Sequence, residues 1–175
     1  MSSEIGCAQA QPTRHHDEDE ICLVIDNDTL SRYEDHYFTV HTKAHKKPIT
    51  QPYHESMNTW MIMKRPMMNA LKQRWKDFIR WFVDEQGYSN LRIEHCEVHQ
   101  VIYYPTNRRH DLDNTTPKFI IDGLVDGQMI VDDDFRHIHR LTLSCGVDKE
   151  HPRTELYIHI LNTEELKEIT YGKEE

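Results

Sequence analysis

The sequence has no apolar segment long enough to cross a membrane, and its first residues do not look like a signal peptide. A membrane helix needs about 20 consecutive apolar residues, and none of the runs in this chain of 175 residues approaches that length. A signal peptide combines a cationic start with an apolar stretch, whereas residues 17–20 are all acidic. These absences predict a cytoplasmic protein without a membrane partner.

Metal-binding and redox motifs built on cysteine or histidine are also absent. The four cysteines are far apart and include no CxxC pair, which argues against a zinc ribbon and against a dithiol redox site. We therefore expect buried thiols in a reducing compartment. Histidine is frequent, at 13 residues, but the sequence contains no HExxH, so histidine by itself is weak evidence for a metal site.

Length and composition predict one folded domain between two polar ends. A chain of 175 residues can bury one core, whereas two domains would each be small. Residues 1–20 lack hydrophobic periodicity and end in an acidic run, which predicts a disordered acidic tail. The domain is predicted over residues 21–162, and residues 163–175 form a charged C-terminal extension.

The net charge of −9 is unevenly distributed. Residues 1–40 contain two basic and nine acidic side chains, a net charge of −7, whereas residues 41–80 contain nine basic and two acidic ones, a net charge of +7. A basic stretch in an acidic chain fits a polyanion bound beside a cation site. The alternative is a basic helix face that is merely exposed to solvent.

Hydrophobic patterns predict the principal elements in chain order. A first strand covers Ile21–Ile25, with turn chemistry at Asp26–Asp28, and a long loop covers Ser31–Trp60. Apolar residues three and four positions apart then predict an amphipathic helix from Pro66 to Gly87, and an extended segment covers Leu91–Tyr104.

The second half of the chain predicts one more helix and two more strands. Thr115–Pro117 begins a short helix that Asp126 and Gly127 end, and the strands cover Ile138–Ser144 and Glu155–Leu161. The order of strand, helix, strand, helix, strand, strand predicts an α+β fold, a small mixed β-sheet with helices packed on a face.

Two acidic clusters carry the chemistry that the sequence suggests. On an extended chain, Asp111 and Asp113 project to the same side, about 6.6 Å apart. Asp132–Asp134 follow across a short helix, which is expected to return the chain to the same edge. Carboxylates that meet without a cation repel one another, so this grouping predicts a bound Mg²⁺, Mn²⁺ or Ca²⁺ rather than Zn²⁺.

Two other interpretations of these clusters were weighed. An EF-hand counted from Asp111 needs glycine at its sixth position and glutamate at its twelfth; these positions hold Thr116 and Asp122, which excludes it. The second alternative is that the two clusters are solvated turns without a ligand.

The spacing of these residues resembles the signature of the RusA-like family of Holliday-junction resolvases. The resemblance covers Arg108–Asn114, Lys118, Asp122–Leu124 and the pair Asp132–Asp133. It implies that Asp111, Asp113 and Asp133 are catalytic metal ligands, that Asp132 belongs to the metal site, and that Lys118 assists at the scissile phosphate. A third aspartate, Asp134, leaves the register of the pair open.

The resemblance further implies a RusA-like fold, an Mg²⁺-dependent endodeoxyribonuclease with Mn²⁺ as substitute, no organic cofactor, and a homodimer that cuts four-way junctions symmetrically. The expected DNA-binding residues are Lys43, Lys46, Lys47, Arg108 and Arg109. Alternatives are a nuclease for flaps or other branched DNA, a DNA-binding accessory protein of the same fold, and a metal-stabilised structural protein.

Overall fold

The computed structural model describes residues 19–171. Most of the predicted acidic tail, residues 1–18, and the last part of the predicted C-terminal extension, residues 172–175, lie outside the described residues. Within the described part of the chain, none of the helices combines the length and apolar composition that a bilayer span requires.

A four-stranded mixed sheet organises the fold. Its strands are β1 (Glu20–Ile25), β2 (Cys96–Tyr104), β3 (Ile138–Val147) and β4 (Arg153–Ile160), in the spatial order β1-β4-β2-β3. Strand β4 is antiparallel to both β1 and β2, whereas β2 and β3 are parallel. The predicted α+β class with a mixed sheet is confirmed.

Five helices accompany the sheet in the described residues: α1 (Asn27–Val40), α2 (Met57–Met61), α3 (Arg65–Glu85), α4 (Lys118–Asp126) and α5 (Thr163–Tyr171). A short 3₁₀ turn covers Leu112–Asn114. Helix α5 begins where the charged C-terminal extension was predicted. Helix α4 connects the parallel strands β2 and β3, which a tight hairpin cannot join.

The core lies between α3, α4 and one face of the sheet. The apolar face predicted for this helix is buried in α3, and it includes Trp75, Phe78 and Phe82. Alternate residues of β2 are also buried, as the two-residue period of a strand requires. Each large apolar side chain removed from water contributes about 1.5–3 kcal/mol, so this layer is the main source of stability.

The predicted loop over Ser31–Trp60 is wrong in its first third, because α1 continues to Val40. The Asp26 side chain accepts a hydrogen bond from the backbone N–H of Thr29 at 2.8 Å, so the supposed turn is the N-cap of this helix. Tyr33 is buried and contacts Phe78, with ring centroids 4.9 Å apart. Packing against α3 thus stabilises a helix with few apolar residues.

The extended segment predicted from Leu91 begins too early, since β2 starts at Cys96. Asn90 and Arg92 have φ angles of 66° and 50°, which interrupt an extended chain. Ile93 makes an isolated parallel bridge to Ile130 before the continuous pairing begins.

Helix α4 packs closely on α3 at Gly123. A Cβ atom placed at this position would lie 2.5 Å from the Cβ of Ile79. Since α3 already packs on the sheet, this close approach fixes the position of α4 relative to the whole core.

Candidate functional site

Two acidic segments border helix α4. The first acidic segment is Asp111–Asn114, which precedes the helix, and the second acidic segment is Asp132–Asp134, which follows it and leads into β3. Strands β2 and β3 and helix α4 therefore determine where both segments lie.

The first acidic segment turns instead of extending. Asp111 has extended backbone angles, but residues 112–114 form a 3₁₀ turn, closed by a hydrogen bond from Asn114 N–H to the Asp111 carbonyl at 3.0 Å. The prediction that Asp111 and Asp113 alternate along an extended chain is therefore wrong. Both side chains are exposed, and Arg109 Nε donates to Asp111 Oδ1 at 3.0 Å.

The first acidic segment is held at the carboxyl end of β2. The His110 ring stacks on Tyr104, the last residue of β2, with centroids 3.7 Å apart and planes 3° from parallel. On the other side, Asn114 Oδ1 accepts a hydrogen bond from the backbone N–H of Asn58 at 2.8 Å, which ties the segment to α2.

Lys118 is the first residue of α4 and is engaged with an acid one turn later. Its Nζ lies 3.2 Å from Asp122 Oδ1, and Nζ of Lys72 on α3 lies 2.8 Å from Asp122 Oδ2. Burial raises the pKa of the Asp122 carboxyl, but hydrogen bonds from Lys72 and Lys118 outweigh burial and bring that pKa below its usual value. Asp122 therefore remains ionised and holds the Lys118 ammonium on α4, one turn beyond the start of the helix.

The second acidic segment has an internal hydrogen-bond network centred on Asp134. Arg136 donates to Asp134 Oδ2 from Nη2 at 2.6 Å and from Nε at 2.8 Å, while Oδ1 accepts from the Arg136 backbone N–H and from His137 Nδ1. Hydrogen bonds from Arg136 and then from His137 hold the pKa of Asp134 far below its usual value. Asp133 is exposed, and its backbone N–H donates to Asp132 Oδ1 at 2.8 Å.

Donor atoms of Asp132, Asp134 and His137 lie within 4.8 Å of one another, a grouping found in a search of the described residues. Asp133 is not one of the three. His137, three positions after Asp134, was the sequence signal for this grouping, but the sequence analysis gave histidine little weight as evidence for a metal site. His95 is close by, since its ring is stacked on that of His137 with centroids 6.3 Å apart.

The two acidic segments do not meet within one protomer. Tyr104 pairs with Val147 and Cys96 pairs with Ile138, so the first segment lies at the end of the parallel pair and the second at its beginning. Eight residues of strand separate these points, which is about 26 Å at 3.3 Å per residue. The expectation that α4 returns the chain to the same edge is therefore not met.

The predicted DNA-binding cations differ in their local partners. Lys43, Lys46 and Arg108 are exposed and have no ion pair among residues 19–171, whereas Lys47 Nζ lies 2.7 Å from Glu34 Oε2. On α3, Lys76 pairs with Asp126 at 2.9 Å, so part of the basic stretch is neutralised by α4.

Two comparisons of the sequence with known proteins gave no relative. The scan against protein-family models produced no match, and the search of the curated proteins found none. The resemblance to RusA-like resolvases consequently depends on the residues and spacings quoted from the sequence.

Proposed function

We propose that this chain is a cytoplasmic, divalent-metal-dependent endodeoxyribonuclease of the RusA-like type, which resolves four-way DNA junctions. The observation that carries the proposal is the pair of acidic segments at the two ends of α4, in which Asp111, Asp113, Asp132 and Asp133 are exposed. Each segment has an arginine next to it, Arg109 at Asp111 and Arg136 at Asp134. Carboxylates that face solvent next to cations suit a metal-assisted reaction on phosphate.

The donor set fits Mg²⁺, with Mn²⁺ as substitute. Asp111, Asp113, Asp132 and Asp133 supply carboxylate oxygens, the ligands that these ions prefer. The ends of β2 that lie nearest the two segments are about 26 Å apart along the strand. We infer from this that Asp111 and Asp113 act together with Asp133 from a second copy of the chain.

We therefore place the metal site between the two protomers of a homodimer. In a two-fold dimer, the first acidic segment of one protomer meets the second acidic segment of its partner, and symmetry repeats this contact, giving two sites. A four-way junction also has two-fold symmetry, so two equivalent sites can act on opposed strands.

Exposed apolar side chains next to both segments support this arrangement. Phe135 follows Asp134 directly and is 82% exposed. At the other end, Met61 and Ile62 are 67% and 85% exposed and lie just beyond Asn58, which is hydrogen-bonded to Asn114. Large exposed apolar groups near polar residues are typical of protein interfaces.

The metal, when bound, would acidify the attacking water and offset the negative charge of the transition state. The side chains of this protein supply the other requirements. Arg108 and Arg109 would hold phosphates on either side of the cut. Lys118, oriented by Asp122, would approach the scissile phosphate, and the exposed Lys43 and Lys46 would follow an arm of the junction.

Subunit complementation tests both the activity and the shared site. Asp113→Asn and Asp133→Asn homodimers should each fail to cut a synthetic four-way junction in Mg²⁺. A mixture should recover nicking, because a heterodimer has one site with unaltered Asp111, Asp113 and Asp133. The matched control mixes Asp111→Asn with Asp113→Asn, which alter the same segment and should stay inactive together.

Recovery in the control, or no recovery in the test mixture although heterodimers form, would disprove the shared site. Flap and linear duplex substrates belong in the same assay, since the same chemistry would serve a flap nuclease.

The separation of the acidic segments also favours a second candidate, a DNA-binding accessory protein of the same fold without turnover. It predicts that the unaltered chain binds the junction tightly and leaves it intact in both Mg²⁺ and Mn²⁺. Cleavage that the Asp113→Asn change abolishes would exclude this candidate.

A further inference from the structure

A cavity lies beside the first acidic segment, between the end of β2 and the chain that precedes α2. Its volume is about 340 Å³, and residues on its wall include Tyr53, His54, Tyr104, Arg109 and Asp111. Small-molecule pockets start at about 300 Å³, so this space suits one flat heterocycle better than a larger ligand.

One wall of the cavity is aromatic. Tyr53 meets Tyr104 edge to face, with centroids 4.9 Å apart, and the exposed His110 lies flat on Tyr104. Because the His110 imidazole already covers one face of the buried Tyr104, Tyr53 is the ring that offers a base a stacking surface. Nucleic-acid bases stack on such side chains without regard to sequence.

His54 lines the cavity and carries a buried nitrogen without a hydrogen-bond partner among the described residues. It is only 7% exposed, and its Nδ1 lies 2.7 Å from the Glu55 carbonyl. A carbonyl can only accept, so Nδ1 carries the hydrogen and Nε2 of the neutral ring is an acceptor. This Nε2 is buried and has no hydrogen-bond partner among residues 19–171.

Burial keeps His54 in that neutral form. Desolvation lowers the pKa of the imidazole, and the hydrogen bond to Glu55 only partly opposes it. Nε2 therefore remains an acceptor at neutral pH, so a ligand group that binds to it must donate a hydrogen bond.

We propose that this cavity is a nucleobase pocket. An unpaired base of the DNA strand that crosses Asp111 enters it, stacks on the aromatic wall, and donates a hydrogen bond from an exocyclic amino group to His54 Nε2. The pocket then gives the nuclease a preference for the base beside the scissile phosphate, whereas contacts to phosphate carry no sequence information. This inference rests on the proposed function for the identity of the ligand.

The test measures nucleotide binding without cleavage, so it is independent of the proposed activity. Deoxyadenosine monophosphate and its analogue without the 6-amino group are titrated into the full chain in Ca²⁺ buffer, and the ¹⁵N resonance of His54 Nε2 is followed by NMR. The amino nucleotide should shift this resonance with saturation, and the analogue should bind at least several-fold more weakly. Deoxyribose 5-phosphate, which has no base, should leave the resonance unchanged.

Variants of Tyr53 test the stacking. Tyr53→Ala should weaken binding of the amino nucleotide by roughly ten-fold, the usual effect of losing one base–aromatic stack. Tyr53→Phe keeps the ring and should bind as the unaltered chain does. An absent shift, an equal shift from deoxyribose 5-phosphate, or unchanged affinity in Tyr53→Ala would each overturn the proposal. If the amino nucleotide binds in the pocket but the protein does not cut DNA, only the proposed nuclease function is refuted.

Discussion

The two acidic segments have similar composition but differ in how far their carboxylates are satisfied by the protein itself. Asp111 accepts from one exposed arginine, and Asp113 has no hydrogen-bond partner among the described residues. Asp134, by contrast, accepts four hydrogen bonds from Arg136 and His137. A run of aspartates can therefore contain both a structural residue and residues left for a ligand, and local hydrogen bonding separates them.

The contrast between carboxylates that are free for a ligand and those bound internally is tested most directly in the second acidic segment, by removing one charge at a time. Asp133→Asn should lower junction cleavage by roughly 100-fold or more, as expected when one group that stabilises a transition state is lost. Asp134→Asn should have a smaller effect, because Asp134 is committed to Arg136 and His137. Single-turnover cleavage measures the first effect, and mobility shift in Ca²⁺ should show that both variants still bind the junction.

The opposite ranking would mean that Asp134 leaves its internal partners to bind the metal. The aspartate pair on which the resemblance to RusA-like resolvases depends would then be Asp133–Asp134 instead of Asp132–Asp133.

The apolar residues beside each segment give the next largest effect. Phe135→Ser should weaken the dimer by about ten-fold or more, since burial of a phenylalanine contributes about 1.5–3 kcal/mol. Sedimentation over a concentration series measures this change, and cleavage at low protein concentration should fall with it. Val40→Ser is the matched control, because Val40 is also exposed, at 61%, but lies at the end of α1. Equal dissociation of both variants, or of neither, would remove Phe135 from the interface.

The smallest effect is on stability as a function of pH. The pKa of Asp134 is lowered in the folded chain, first by Arg136 and then by His137, so its stabilising contribution is present above its usual pKa of 3.8. That contribution is lost as pH falls through 3.8 towards the lower folded value. Asp134→Asn should therefore reduce Tm by at most a few degrees at pH 7, and the difference should shrink by pH 3.

Thermal melts at pH 7, 5 and 3 measure this difference. The same melts of Asp133→Asn serve as the control, and a Tm loss at pH 7 as large as that of Asp134→Asn would contradict the contrast between the two side chains.

Sequence patterns predicted the elements whose buried faces are wide. The stripe that includes Trp75, Phe78 and Phe82 identifies α3, and branched residues identify β1. Helix α1 was missed because its buried residues are few, Thr29, Leu30 and Tyr33, and its stability comes from contact with α3. The late start of β2 depends on backbone angles at Asn90 and Arg92 that no side-chain pattern announces.

The sequence predicted candidate site residues on both sides of α4, but it did not predict how they are arranged. The spacing of Asp111, Asp113 and the later aspartates suggested one centre, and the residues do lie at the two ends of α4 as the order of elements requires. Their separation follows from the parallel pairing of β2 with β3, which local sequence does not determine. The cavity wall formed by Tyr53 and His54 was likewise not predicted, because both residues lie in the segment predicted as a long loop.

The contact between Gly123 and Ile79 has a consequence for which sequence changes the chain can tolerate. Helix α4 spans the interval between the two acidic segments, and the absence of a side chain at position 123 lets it lie directly on α3. One residue inserted in α4 would turn everything beyond it by about 100° and lengthen it by about 1.5 Å, moving one segment but not the other. Among related sequences, the length of α4 should therefore vary far less than the lengths of the two loops that flank it.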